Sequence, residues 1–212
     1  YLFSHAQVWW LGLYAFLSWS TVSVFAVLWG IPFLRRADSM TLIEASVGIS
    51  VLWVGVGIGS PLIGWLSDYF KRRKLPLILC SCLAIIVFFI ILYVPHLSFV
   101  SIYSLLFFVG VTAAGVTVIF AAAKDNVPIQ TQNLTNGLIN MMAVLSGLIL
   151  QPLIGFLMHA LWQGHRTEGL SIYTVSTYRH ALLVLPLTAI LSLLIAVFKI
   201  KETYCEDISK KK

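Results

Sequence analysis

Pro61-Leu62-Ile63-Gly64-Trp65-Leu66 returns later in the chain as Pro152-Leu153-Ile154-Gly155-Phe156-Leu157, and each copy sits toward the C-terminal end of a long apolar run with glycines upstream. Pro and Gly are common in membrane helices, but near-identical residues at matching places in two runs read as an internal repeat. The first copy ends the second of six apolar spans and the other ends the fifth. Consecutive spans alternate direction, so spans three apart run opposite ways. The repeat therefore has inverted topology.

Composition sets the class. Of the 212 residues 59% are hydrophobic and 10% are charged, with a mean hydropathy of +0.94, against about 25% charged in an ordinary soluble domain. An integral membrane protein follows, with the lipid bilayer as its surroundings. The formal net charge of +6 would suit nucleic acid only if the basic residues formed a patch among exposed aromatics. They lie in short loops and at the C-terminus, so no nucleic-acid partner is expected. Cys80 and Cys82 in an apolar run and Cys205 in the tail form neither a disulfide framework nor a metal-ligand spacing. With no P-loop, nucleophile elbow or paired metal histidines, the chain reads as a non-enzyme without catalytic residue, metal or cofactor.

A helix needs about 20 apolar residues to cross the hydrocarbon core. Six stretches qualify, at 8–33, 44–67, 75–94, 99–123, 135–161 and 180–198. With a cytoplasmic N-terminus, the inside segments hold Lys71, Arg72, Arg73, Lys74, Lys124, Lys199, Lys201 and Lys210 to Lys212. Arg35, Arg36, Arg166 and Arg179 then lie outside. The excess inside predicts two cytoplasmic termini of a multi-pass protein in the plasma membrane, the inner membrane if the source is bacterial.

The spans differ in polarity. The third and sixth are almost purely aliphatic and aromatic and are expected to face lipid. The others carry polar and small residues at helical spacing: Ser46, Ser50, Trp53, Gly57, Gly64 and Asp68 in the second, Asn136, Asn140, Gly147 and Gln151 in the fifth, and Trp19, Ser23 and Gly30 in the first with Ser20 alongside. Such stripes line an aqueous cavity or hold helices together. Close packing accounts for Gly55, Gly59 and the Gly110 to Gly115 patch, whereas Asn140 and Gln151 either line a cavity or hydrogen-bond between helices. Glu44, at the start of the second span, is expected to cap it.

The most specific short motif runs from Gly64 to Lys74: Gly64-Trp65-Leu66-Ser67-Asp68-Tyr69-Phe70-Lys71-Arg72-Arg73-Lys74. It resembles the signature of the major facilitator superfamily, a Gly three residues before an Asp followed by a basic cluster, found in the cytoplasmic loop after the second span of each half. Tyr69 stands where a basic residue is usual and Lys71 where glycine is usual. The glycine would let a neighbouring helix approach, and the Asp would pair with a guanidinium. Gly64, Asp68, Arg72 and Arg73 then form a cytoplasmic gate, with Asp125 at the end of the fourth span either pairing with Arg72 or Arg73 or simply solvated. The plainer alternative is a positive-inside anchor.

The resemblance implies an all-α fold of six transmembrane helices as a 3+3 inverted repeat, half of a twelve-helix transporter. The missing Met and the basic tail point to the C-terminal half. Its partner is then an N-terminal six-helix half, in the same polypeptide or a second chain, or a second copy. The expected function is secondary active transport of a small polar organic solute by alternating access. Trp19, Ser20, Ser23, Trp53, Asn140 and Gln151 form the cavity wall. For a proton symport, the proton-carrying carboxylate would belong to the missing half. Leu28-Trp29-Gly30-Ile31-Pro32-Phe33-Leu34 and the run from Gln151-Pro152 are also similar to facilitators of intracellular-living proteobacteria whose substrates include amino acids. The rival reading is a six-span membrane scaffold or assembly subunit without a solute path.

Overall fold

A computed structural model describes residues 5–162, 164, 166–167, 170–171 and 173–206. Six of its helices are long and apolar enough to cross a membrane: α1 Ala6–Ala37, α2 Leu42–Tyr69, α3 Lys74–Tyr93, α4 Phe99–Asn126, α5 Ile129–Ala160 and α6 Val175–Phe198. The shortest, α3, has 20 residues, which at about 1.5 Å each spans about 30 Å, the thickness of a hydrocarbon core. Several helices run past the apolar stretches, because the backbone ladder continues through polar residues that hydropathy discounts. α1 continues through Arg35 and Arg36. α2 begins on a capping box: the Thr41 hydroxyl accepts from the Glu44 N–H at 3.2 Å and the Glu44 carboxylate accepts from the Thr41 N–H at 2.8 Å. The capping role expected of Glu44 is therefore present. α6 begins at Val175, where the Thr174 hydroxyl accepts from the Thr177 N–H at 3.2 Å. Between α5 and α6 a two-residue antiparallel ladder pairs Arg166 with Ser171 and Thr167 with Leu170. Lys210, Lys211 and Lys212 lie outside the described residues.

The packing carries the inverted repeat. α1 packs chiefly on α5 and α4 on α2, α3 and α6 pack on each other, α1 also meets α6, and α4 also meets α3. Exchanging the first three helices with the last three converts each pairing into another of the same set. Burial obeys the same rule: in the most apolar stretch of each helix, 67% of residues are buried in α1 and α4, 50% in α3 and α6, and 33% in α2 and α5. The protein is an all-α bundle of six helices built as a 3+3 inverted repeat.

The same ranking shows how α3 and α6 divide their surfaces. α3 and α6 expose Leu79, Ile86, Phe89, Leu187, Leu191 and Leu194 on one side only. On the other, Ser81 and Ser192 bond across the seam at 2.9 Å, and Tyr14 of α1 reaches Ser81 at 3.1 Å and donates to the Leu77 carbonyl at 2.9 Å. The least buried helices are α2 and α5, whose outward faces carry Ser50, Trp53, Gly57 and Pro61, and Asn140, Val144, Leu148 and Pro152. These two faces mix small, polar and apolar residues.

α2 and α4 approach each other at Gly55 and Gly110. A Cβ on Gly55 would collide with the Phe107 carbonyl and one on Gly110 with the Leu52 carbonyl, so backbone contact accounts for these glycines. Gly64 differs: nothing lies within 4 Å of where its Cβ would stand. The expected close approach of a neighbouring helix at Gly64 is absent among the described residues, because Gly64 lies on the side of α2 turned away from α4.

α1 and α4, equivalent in the repeat, are both irregular in mid-span. α1 is a π-helix from Thr21 to Trp29 between α-helical ends, with the Gly30 N–H donating to the Phe25 carbonyl. α4 breaks at Ala114, whose N–H is shared between the Gly110 and Val111 carbonyls at 3.2 Å. Phe25 packs edge-on against Phe33 and Phe88, with ring centroids 6.1 and 5.7 Å away, and anchors the core around the π segment.

Candidate functional site

Arg73 is the centre of the basic end. The chain leaves α2 at Tyr69 and turns through Phe70 to Arg73. In that turn the Lys71 N–H donates to the Asp68 carbonyl at 3.2 Å and the Arg72 N–H to the Ser67 carbonyl at 3.1 Å. The turn delivers the Arg73 guanidinium between the ends of α2 and α4. Its Nη1 donates to Asp68 Oδ1 at 2.6 Å and to Ser67 Oγ at 3.2 Å, and its Nε donates to Asp125 Oδ2 at 3.0 Å. Burial pulls the guanidinium pKa down, but the bonds to Asp125 and Asp68 outweigh it and hold it above its ordinary value. Of the two partners expected for Asp125, Arg73 is the one it has. Arg72 makes no ion pair among the described residues; its carbonyl instead accepts from Ser67 Oγ at 3.1 Å.

The tail after α6 completes this cluster, a role not anticipated from the sequence. Glu202 Oε1 accepts from the Arg73 N–H at 2.7 Å and Oε2 from the Lys74 N–H at 3.1 Å. The carboxylate thus satisfies free donors at the N-terminus of α3, which has no side-chain cap of its own. Thr203 Oγ1 donates to Asp125 Oδ2 at 2.9 Å. Lys199 Nζ stands 5.1 Å from the centre of the Trp10 ring, a cation–π contact that ties the tail to α1. An acidic residue just past a basic helix end is the only local mark of Glu202.

The six residues expected to form a cavity wall fall into separate groups. Trp19 and Asn140 line one concavity of about 140 Å³ with Val116, Phe120, Ala143 and Val144. Ser23 and Gln151 meet in the α1–α5 seam: Gln151 Nε2 donates to the Ser23 carbonyl at 2.6 Å, and Ser23 Oγ bonds Ser146 Oγ at 2.7 Å. Gln151 is therefore an interhelical hydrogen-bonder to a backbone carbonyl of the π segment. Ser20 faces away from both, buried against α6, where it bonds Thr188 Oγ1 at 2.9 Å and donates to the Leu17 carbonyl at 2.6 Å. Trp53 stands on the outward face of α2, 45% exposed. Ser146 and Thr188 were missed, because a hydroxyl in an apolar run carries no sign of the helix it will meet.

Residues 8–210 match the sequence profile of the Major Facilitator Superfamily. The chain belongs to this superfamily. Two xylose transporter structures from E. coli share the fold of this major facilitator bundle. The partially occluded inward-open form of XylE gives a TM-score of 0.71 at 16% identity over 100% of this chain and 55% of that one. Its inward-open form gives 0.67 at 14% identity over 92% and 48%. A bacterial homologue of the human lysosomal transporter Spinster, inward-facing and occupied, gives 0.58 at 15% identity over 93% and 49%. No curated protein sequence matches. The chain spans about half the length of these solved structures.

As a major facilitator sequence the basic loop carries Lys71 where glycine is usual. Lys71 has φ 49°, the left-handed region that glycine occupies without a Cβ clash. Tyr69, the other departure, stacks on Trp65 with centroids 5.2 Å apart.

Proposed function

We propose that this bundle is one half of a secondary transporter that moves a small polar organic solute by alternating access, with amino acids as the first class to test. The second six-helix bundle belongs to the same polypeptide or to another chain. The observation that carries this reading is the exposure of one side of α2 and one side of α5 among the described residues. These sides carry Ser50, Trp53 and Gly57 on α2 and Asn140 on α5, where a second bundle would enclose a polar path. Trp19 reaches the exposed side of α5 through the concavity it shares with Asn140.

The basic end serves as the cytoplasmic gate in this reading, and both termini lie inside by the distribution of Lys and Arg. Arg73 ties α2 to α4 and, through Thr203 and Asp125, to the tail. A motion that spreads α2 from α4 at this end must break the bond to Asp68 or to Asp125. Asp68 is the partner that water can replace, since its side chain is 69% exposed.

The test is uptake of labelled amino acids and other small polar organic solutes by liposomes holding the chain and its partner bundle. Saturable uptake is expected, with Asp68→Asn changing the rate while membrane insertion stays the same. Uptake no greater than in empty liposomes for every solute contradicts the reading.

A further inference from the structure

We infer that the end of the bundle opposite the basic loop carries a binding site for a small organic oxyanion. A cavity of about 410 Å³ opens there between the last turns of α1, the connection to α2 and the start of α6, lined by Ile31, Arg35, Arg36, Met40, Tyr173 and Tyr178 among others. That volume falls in the range of about 300–1,000 Å³ that small-molecule pockets occupy.

Arg35 and Arg36 are exposed on this cavity. Among the described residues the ion pairs all belong to Arg73, so neither guanidinium has a carboxylate partner there. Asp38, the nearest acidic residue in sequence, is coupled electrostatically to Arg179 and His96. Two basic residues in the last turn of α1 also suit the carbonyl end of a helix. That role needs neither a ligand-sized space nor the two phenols on its wall. Tyr178 is held edge-on by Phe33 on one side and Tyr173 on the other, each with centroids 6.3 Å away. The wall is thus fixed by packing before any ligand arrives.

The chemistry selects the ligand class. A guanidinium is a planar fork of N–H donors that matches a carboxylate or phosphate bidentately. Ile31, Met40 and the tyrosine rings offer an apolar wall for a flat or aliphatic body. The oxyanion belongs either to a soluble organic acid or to an anionic lipid headgroup. The inference stands apart from the transport reading, since binding here requires no solute path.

Benzoate is the soluble probe, titrated into the full chain in dodecyl maltoside, which carries no charge. Saturable binding is expected, weakened about ten-fold or more by Arg35→Gln/Arg36→Gln and weakened by added salt. In parallel, nanodiscs containing phosphatidylglycerol are examined by native mass spectrometry. Lipid retained by the natural chain and lost by the double variant, without benzoate binding, supports the site with a headgroup as the source. Benzoate binding without lipid retention supports it with a soluble acid. The site is refuted when neither probe separates the natural chain from a folded double variant. If the glutamine pair does not fold, Arg35→Lys/Arg36→Lys keeps both charges but loses the fork, and undiminished binding of both probes by that variant overturns the proposal.

Discussion

Arg73 bonds Asp68 at 2.6 Å and Asp125 at 3.0 Å, and the longer bond is the stronger tie. The Arg73 and Asp125 side chains are 12% and 15% exposed, against 69% for Asp68. Removing Asp125 leaves the largely buried guanidinium with only the exposed Asp68 and the Ser67 hydroxyl as partners, a loss of about 3 kcal/mol. Removing Asp68 breaks a pair that water already screens, a loss of about 0–1 kcal/mol. Thermal unfolding in detergent is expected to drop far more for Asp125→Asn than for Asp68→Asn; equal losses would contradict this ranking.

Glu202 holds donors from Arg73 and Lys74 rather than their side chains, so its effect is that of a remote helix cap. Glu202→Gln keeps one acceptor oxygen but loses the charge at the N-terminus of α3, for a cost of about 1 kcal/mol. Hydrogen exchange at the first turn of α3 checks this directly. Faster exchange there, with the centre of α3 unchanged, is expected; unchanged exchange at the first turn rules out the cap.

The two kinds of glycine predict opposite outcomes. Gly110→Ala puts a methyl group into the Leu52 carbonyl, and the helices must part or strain by an amount on the order of overpacking, about 1–3 kcal/mol. Gly64→Ala meets open space within the chain and gains about 0.5–1 kcal/mol of helix propensity. Purified yield and unfolding temperature should fall for the first and hold or rise for the second. A loss of transport in Gly64→Ala with stability intact would place a second bundle against that position.

Cys205 sits beside Arg73 with its Sγ 3.7 Å from the Ser67 carbonyl. Burial pushes its thiol pKa up, and the opposing pull of Arg73 does not cancel this. A raised pKa leaves less thiolate at any given pH. Alkylation at neutral pH is therefore expected to be slower than for a free thiol and to speed up as the solution is made alkaline. Labelling at the rate of a free thiol at neutral pH would show that the tail is not docked.

Much of the fold is legible in the residues because the bilayer demands a local signal. Crossing needs a long apolar run, and the copies at Pro61 and Pro152 mark the repeat in plain text. The site is legible only in part. Arg73 rather than Arg72 reaches the carboxylates because Lys71 turns left-handed, which no basic run reveals. Glu202 lies far along the chain from Arg73, and such contacts leave no periodicity. Ser20 and Ser23 part company where α1 becomes a π-helix at Thr21, since a stripe counted at 3.6 residues per turn drifts when the turn widens. Gln151 is legible as a polar group needing a partner, but the choice of a backbone carbonyl is set by that same π segment.

Cysteine accessibility in the membrane distinguishes a water-lined surface from a lipid-facing one. Single cysteines at Trp53 and Asn140, and at Ile86 and Leu187 on the outer faces of α3 and α6, are placed in a chain whose three natural cysteines are replaced. All four positions are exposed in the isolated bundle, so packing within the chain does not separate them. A small aqueous thiol reagent is expected to label 53 and 140 and to spare 86 and 187, because only the first pair faces a polar path. Equal protection of all four would contradict this.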